Sequence, residues 1–337
     1  MRGLNQQGQS RLSRLLARAR RIGRRVPLVI PDVAGELHDV APSGPGRTAF
    51  FPRFSTIDEY DAWAEAHAAL LDSRANFEKA LIPRSDYFAI GGYCAVCHRD
   101  SAFTVDFLYS AANQEGVRVP NWRERLVCRR CKLPNRQRAM IDFMESQLEF
   151  GRSTTIYVTE QTTPFFRALK NRYPNTIGSE LLGDGTLPGQ SNKLGLRNED
   201  LTQLSLREGS VDAICTADVL EHVPEYGRAI CECFRCLKPG GWLMISVPFL
   251  LESAQTLVRA RLDVRGSIEH LLAPEYHGDP LNAQGVLCYY HFGWDLLERL
   301  SGAGFLGSSL YFYWSCRRGY LGGLQFLISA RKPRSAT

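Results

Sequence analysis

No run of apolar residues in these 337 residues approaches the ~20 that a membrane-spanning helix needs, which excludes a helical membrane span. Acid is missing from the start of the chain. Eight arginines (Arg2, Arg11, Arg14, Arg18, Arg20, Arg21, Arg24 and Arg25) precede Asp32 with no carboxylate among them. The formal charge of +6 therefore belongs to a tail; beyond it 33 basic side chains face 35 acidic ones. Leu12, Leu15, Leu16, Ala19 and Ile22 fall at helical spacing beside those arginines. That pattern suits contact with an anionic membrane or nucleic acid, an organelle-targeting segment, or simply a solvated arm. The long apolar core of a secretory signal is absent. The ten cysteines lack the arrangement of a secreted disulfide scaffold, and a reducing cytoplasm fits them best. Cys231, Cys233 and Cys236 lie along one predicted helix, where cysteine commonly serves as a small core residue. No internal repeat is evident.

The pattern divides the chain into a basic arm (1–35), a linker with a packing helix (36–89), a cysteine-bearing module (90–148) and an α/β domain (149–337). Residues 27–54, rich in Pro and Gly, read as irregular. Thr56 and Glu59 form a capping box before Tyr60, Trp63, Ala66, Leu70 and Phe77, which predict a helix to about Leu81. After Ser153, short β-branched runs alternate with amphipathic helices, which argues for a parallel sheet covered on both faces. Strands are expected at about 154–159, 175–181, 195–198, 211–217, 241–248, 308–315 and 323–331. Helices are expected at about 163–173, 225–237 and 292–303.

Cys94-Ala95-Val96-Cys97 and Cys128-Arg129-Arg130-Cys131 are two C-x-x-C knuckles. Such turns can present four thiolates to one tetrahedral Zn²⁺, a closed and therefore structural site. The 30-residue spacer is longer than usual, and a hairpin from Phe103 to Val119 would fill it. A redox dithiol pair, unliganded core thiols, or His98 in place of one sulfur are the alternatives. Arg123, Arg125, Arg129, Arg130, Lys132, Arg136 and Arg138 crowd the second knuckle, with Trp122 nearby and only Glu124 opposing them. They form either a phosphate- or RNA-facing patch or a counter-charge to the thiolates.

The stretch Val211-Asp212-Ala213-Ile214-Cys215-Thr216-Ala217-Asp218-Val219-Leu220-Glu221-His222 resembles the fourth-strand motif of class I S-adenosylmethionine-dependent methyltransferases. A helix, Lys238-Pro239-Gly240-Gly241, and the apolar run Trp242–Val247 follow in the order typical of that family. Gly240 is expected to end the helix and Gly241 to permit a tight turn. The resemblance covers about 153–331. It implies a Rossmann-like, seven-stranded methyltransferase sheet, and the knuckles place a small zinc-binding module before it. It also implies cofactor contacts at strand ends. Glu160 and Thr162 would belong to the first loop, and Glu180 would take the ribose hydroxyls. Asp200 and Leu201 would hold the adenine, and Asp218 would lie beside the methionine moiety. The chain departs from the family at that first loop, Thr159-Glu160-Gln161-Thr162-Thr163-Pro164, which contains no glycine.

The sulfonium methyl is already activated, so the protein mainly has to position a nucleophile and, for a hydroxyl, remove its proton. His222 follows the fourth strand, while His277, Asp279 and His291 lie in a long segment, 250–291, placed where this family builds its substrate lid. These four are the candidates for proton transfer or acceptor binding. Two functions fit. One is O-methylation of a small molecule or saccharide, with zinc bracing the fold. The other is RNA or protein binding by the zinc module, with an inactive methyltransferase domain.

Overall fold

The computed structural model describes residues 27–29, 50–112, 116, 118–148 and 150–334; the arginine tail up to Arg25 lies outside the described residues. No helix among the described residues is long and apolar enough to cross a membrane.

In chain order the elements are β1 (Leu28–Val29), β2 (Phe50–Phe54), α1 (Ile57–Ala66), α2 (Ala68–Ala80), β3 (Tyr87–Cys94), β4 (Arg99–Asp106), α3 (Trp122–Arg125), β5 (Val127–Cys128) and α4 (Asn135–Gln147). There follow β6 (Ile156–Val158), α5 (Pro164–Arg172), β7 (Ile177–Gly178), β8 (Val211–Ala217), α6 (Tyr226–Cys236), β9 (Leu237–Ser246), α7 (Asp295–Gly302), β10 (Leu306–Ser315) and β11 (Tyr320–Arg331).

A seven-stranded sheet runs β2-β10-β11-β9-β8-β6-β7. Strands β7, β6, β8 and β9 are parallel, and β11 enters antiparallel between β9 and β10. Seven strands were expected, but not the same seven. Residues 195–198 contribute only isolated bridges, Glu180 to Asn198 and Ser191 to Arg197, and the place is taken at the opposite edge by β2, in a stretch that reads as irregular. Pro52 is tolerated there because β2 is an edge strand. The packing helix is also two helices, broken at His67, whose Nδ1 bonds the Trp63 carbonyl at 2.8 Å. Thr56 caps α1 by accepting from the Glu59 amide, as expected, while the Glu59 carboxylate reaches Ser55 N. Gly240 does not end α6, which stops at Cys236. It lies inside β9 at φ +81°, where its freedom turns the chain left-handed, and Gly241 packs a would-be Cβ 3.0 Å from the Asp212 carbonyl.

Alternate residues of the sheet feed two cores. Ile156, Val158, Ala213, Cys215 and Met244 face one side, where Phe88, Ile90, Phe103, Leu126, Met140 and Phe143 complete the packing. Tyr157, Ile214, Leu243 and Ile245 face the other, against α6, α7 and the aromatic residues around Tyr290. The cysteine-bearing module therefore shares a continuous core with the sheet. Its fastener is Arg138, fully buried on α4, which donates to the carbonyls of Arg318 (2.8 Å), Gly319 (2.7 Å) and Leu126 (3.3 Å) with its guanidinium over Phe103. Asp142, one turn on, accepts from Arg318 and the Tyr320 hydroxyl. Replacing Arg138 with Leu orphans three buried acceptors at about 1–3 kcal/mol each before relaxation. Urea denaturation of Arg138→Leu is expected to show a midpoint well below wild type; an unchanged midpoint refutes the fastener role.

Candidate active site

Glu160, Glu180 and Asp218 lie just past the carboxyl ends of β6, β7 and β8, where ligands bind in open α/β sheets. Chain geometry explains how a loop without glycine fits there. Three donors, the amides of Gln161 (2.7 Å) and Thr162 (2.9 Å) and the Thr162 hydroxyl (3.0 Å), all converge on Glu180 Oε1. The next turn begins α5, with Thr163 as N-cap and Pro164 in its first turn. The close approach is moved to the neighbouring strand: a Cβ on Gly178 would stand 2.5 Å from the Phe166 ring and 2.8 Å from the Glu160 carbonyl. Glu160 is largely enclosed. Its Oε1 has no hydrogen-bond partner, and burial pushes its carboxyl up to about 7 against opposing pull from Thr163 and Arg136.

Asp218 sits at φ +56° and is gripped from three directions. Arg123 donates to both its oxygens (2.8 and 2.5 Å), Arg136 Nε lies 3.0 Å from Oδ2, and the Ser246 hydroxyl is 3.0 Å from Oδ1. Burial opposes ionisation, but Arg123 and Arg136 outweigh it and hold Asp218 well below the ordinary carboxylate range. Both arginines come from the cysteine-bearing module, and Glu124 pairs with both. The arginine crowd, expected as either a surface patch or a counter-charge to the thiolates, is mostly turned inward, with carboxylates as its main partners. Arg125 pairs with Asp106 and Arg138 is buried, which leaves Arg129, Arg130 and Lys132 exposed. Sequence spacing hid this because the balancing acids, Asp106 and Asp218, are distant from the arginines in the chain or follow another strand.

Of the four candidate proton-transfer residues, three come together. The short helix Leu220–His222 carries His222 directly after Asp218, and paired short strands in the 250–291 segment bring His277 and His291 over it. His222 and His277 rings stand edge to face at 4.9 Å. Asp279 does not join them; its Oδ1 caps the turn at Leu281 N, 2.7 Å away. Three residues not singled out by sequence complete the group. Glu221, with no side-chain exposure, lies 3.7 Å from His222 Nε2 and 3.5 Å from His277 Nδ1. Glu275 Oε1 lies 3.0 Å from His277 Nε2 and 3.2 Å from His291 Nε2, and Cys288 is buried beside both rings. Glu221 was legible, since it stands between Leu220 and His222 in the strand motif; Glu275 and Cys288 carried no spacing signal. Among the cofactor candidates, Asp200 is exposed and caps its own turn at Thr202, and Leu201 is buried in the second core.

The two knuckles converge. Cys94 and Cys131 sulfurs are 3.9 Å apart, as are those of Cys97 and Cys128, and all four sulfurs lie within 4.8 Å of one another. Each knuckle is followed by a left-handed residue, His98 at φ +50° and Lys132 at φ +64°, so the two turns match. His98 itself turns outward toward Arg172 and Glu145.

A family model described as a methyltransferase domain matches residues 166–245. A protein of Mycolicibacterium smegmatis named as a probable S-adenosylmethionine-dependent methyltransferase is 36% identical over 56 residues, 17% of this chain. The chain spans about a fifth (22%) of that relative's length. A methyltransferase structure from Mesorhizobium loti is 17% identical, covering 55% of this chain and 95% of that one, with a TM-score of 0.33. The 1,6-didemethyltoxoflavin-N1-methyltransferase of Burkholderia thailandensis is 16% identical, covering 55% and 74%, with a TM-score of 0.32. Residues 166–245, which run from α5 through β9, are thus similar to a methyltransferase domain, and the parallel β6, β7, β8 and β9 with the antiparallel β11 give the chain a mixed, Rossmann-like α/β sheet.

Removing the Asp218 charge leaves Arg123 and Arg136 with Glu124 alone between them, one carboxylate for two guanidiniums, and breaking such a pair costs roughly 3–5 kcal/mol. Asp218→Asn, which keeps the left-handed preference, is expected to unfold at markedly lower urea. Because the folded carboxyl is depressed, this stabilisation is present above the ordinary Asp pKa and lost as pH falls below it. Wild type should therefore lose stability in that acid window while the Asn variant changes less; parallel curves refute the assignment.

Proposed function

We propose that the protein transfers the S-adenosylmethionine methyl group to a hydroxyl of a small molecule or saccharide. The observation that carries this reading is the convergence of Glu221, His222 and His277 directly beyond Asp218, at the cofactor end of β8. When bound, the cofactor supplies an activated methyl group. The residues present fit it: Glu160 offers an unpartnered carboxylate oxygen at the first strand end. Glu160 would face the cationic methionine end together with Asp218 and Thr162, Glu180 the ribose, and Asp200 with Leu201 the adenine. Methylating a hydroxyl releases one proton. His222 Nδ1 bonds the Leu287 carbonyl at 2.8 Å, which assigns its proton there and leaves Nε2 as the unprotonated nitrogen. That nitrogen is the base we assign, with His277 and His291 holding the acceptor under the 250–291 lid.

The same reading gives the four knuckle sulfurs a structural Zn²⁺. Sulfurs about 2.3 Å from a tetrahedral ion stand about 3.8 Å apart, close to the spacings here. A closed four-sulfur site leaves no position for substrate, so its task is to hold α3 and α4, and with them Arg123 and Arg136, against the sheet. An RNA-binding alternative has little surface to use, since four of the seven basic side chains near the second knuckle pair inward.

Calorimetry is expected to show S-adenosylmethionine binding that weakens in Glu180→Ala, which loses the loop anchor. Glu160, raised to about 7, must ionise to face a cation. Affinity should therefore rise with pH up to about 7 and level off above it, with proton release visible at pH 6 as a buffer-dependent enthalpy. No binding heat in folded, zinc-loaded protein sinks the cofactor reading. Elemental analysis of Cys128→Ser/Cys131→Ser is expected to show loss of one zinc equivalent, together with a lower thermal midpoint. Zinc content equal to wild type refutes the knuckle site.

A further inference from the structure

The group beyond Asp218 has the make-up of a second metal site, distinct from the four cysteines. Glu221 has no exposed side-chain surface, and neither of its carboxylate oxygens accepts a hydrogen bond. A buried carboxylate left so is costly unless a cation meets it. Two imidazole nitrogens point to the same place, His222 Nε2 at 3.7 Å and His277 Nδ1 at 3.5 Å from Glu221 Oε1, and the three donor atoms lie within 4.8 Å of one another. Donors about 2.1 Å from one ion at tetrahedral angles stand about 3.4 Å apart.

The outer nitrogens complete the pattern. A metal-bound histidine characteristically donates its other N–H to a carbonyl or carboxylate, which fixes the tautomer that ligates. Both do so here. His222 Nδ1 is 2.8 Å from the Leu287 carbonyl, and His277 Nε2 is 3.0 Å from Glu275, whose other oxygen is held 3.2 Å from Arg259. Each ring therefore has its outer nitrogen engaged and its inner nitrogen, His222 Nε2 or His277 Nδ1, facing Glu221. The backbone is pinned as well, since Tyr289 N donates to the Glu221 carbonyl at 2.9 Å.

We infer that Glu221, His222 and His277 bind a first-row transition-metal dication of the Zn²⁺ class, with an open coordination position toward the acceptor. Two imidazoles and one carboxylate are a ligand set that leaves a fourth place for water or substrate. The inference rests on the methyl-transfer reading and deepens it. The ion would take the acceptor oxygen, lower the pKa of its hydroxyl and let the proton leave to solvent water, in place of the bare His222 base. No redox change is involved: the acceptor O–H would give its proton to water, and the new C–O bond would form as the S–CH3 bond of the cofactor breaks, the electron pair staying on the sulfur of the departing thioether.

The test uses the full chain stripped of metal and titrated with Co²⁺, followed by Zn²⁺ calorimetry. Two equivalents are expected: one with the intense sulfur-to-cobalt charge-transfer band of the knuckles, and one without it. Glu221→Gln/His222→Gln should lose only the second, its intact thiolate band showing that the chain is folded. Glu275→Gln should weaken the second equivalent about 10–100-fold through the His277 orientation. A single, thiolate-bound equivalent in wild type overturns the proposal. So does a second equivalent carrying a further sulfur band that Cys288→Ala removes, because that ion sits at Glu275, Cys288 and His291 instead. Metal uptake is read without cofactor or acceptor, so failure to bind S-adenosylmethionine in protein with both sites filled counts against the proposed activity alone.

Discussion

The arrangement depends on one buried charge. Asp218 closes β8 in a left-handed conformation that only a few residues accept readily, and it is ionised where water is scarce. Such a carboxylate is stable only if cations are brought to it, and the sheet supplies none: its own contribution is the Ser246 hydroxyl. The cations are Arg123 and Arg136, carried on α3 and α4. Those helices are placed by two things, the four converging sulfurs at one end and the Arg138 contacts with the β10–β11 connection at the other. The module is therefore part of the site's electrostatics, and the sheet alone would end in an unbalanced charge.

The glycine-free loop shows how a common physical need can be met from another segment. Bringing a backbone close to a ligand requires space and satisfied amides. Here Gly178 on β7 lets the Phe166 ring and the Glu160 carbonyl pack close against that strand, and two amides are taken up by Glu180, whose single oxygen gathers the loop. The loop is thereby held by a side chain instead of being left free to adapt. Its shape is set by β7, which is in turn registered on β6 through Tyr157 opposite Ile177.

What could be read from the chain follows from the range of the interactions. Strand β8, helix α6 and the acids Glu160, Glu180 and Asp218 are local patterns of periodicity and punctuation, and they stand close to where the pattern puts them, whereas β9 starts early, at Leu237. The missed features are long-range. β2 looked irregular because an edge strand with a proline has little local signature, and its pairing with β10 joins residues more than 250 positions apart. The inward turn of Arg123 and Arg136 could not be seen because clustered basic residues look the same in sequence whether they face water or a distant aspartate. Glu275 and Cys288 acquire meaning only when the short strands of the 250–291 segment fold back over the Leu220–His222 turn.

Two acids three residues apart, Asp218 and Glu221, illustrate how environment divides one chemistry into two roles. Glu221 is fully buried and Asp218 largely so, and the Asp218 charge raises the cost of ionising Glu221. Asp218 has two guanidiniums, which cannot lose their charge, so it is fixed as an anion and acts as a strut. Glu221 has only imidazoles, whose charge is conditional, and burial pushes its carboxyl upward. Pairs of titratable groups driven apart in this way mark where proton or cation chemistry is done. The permanent charges were spent on the residue nearer the sheet, leaving the outer one to be satisfied by whatever cation or proton the reaction brings.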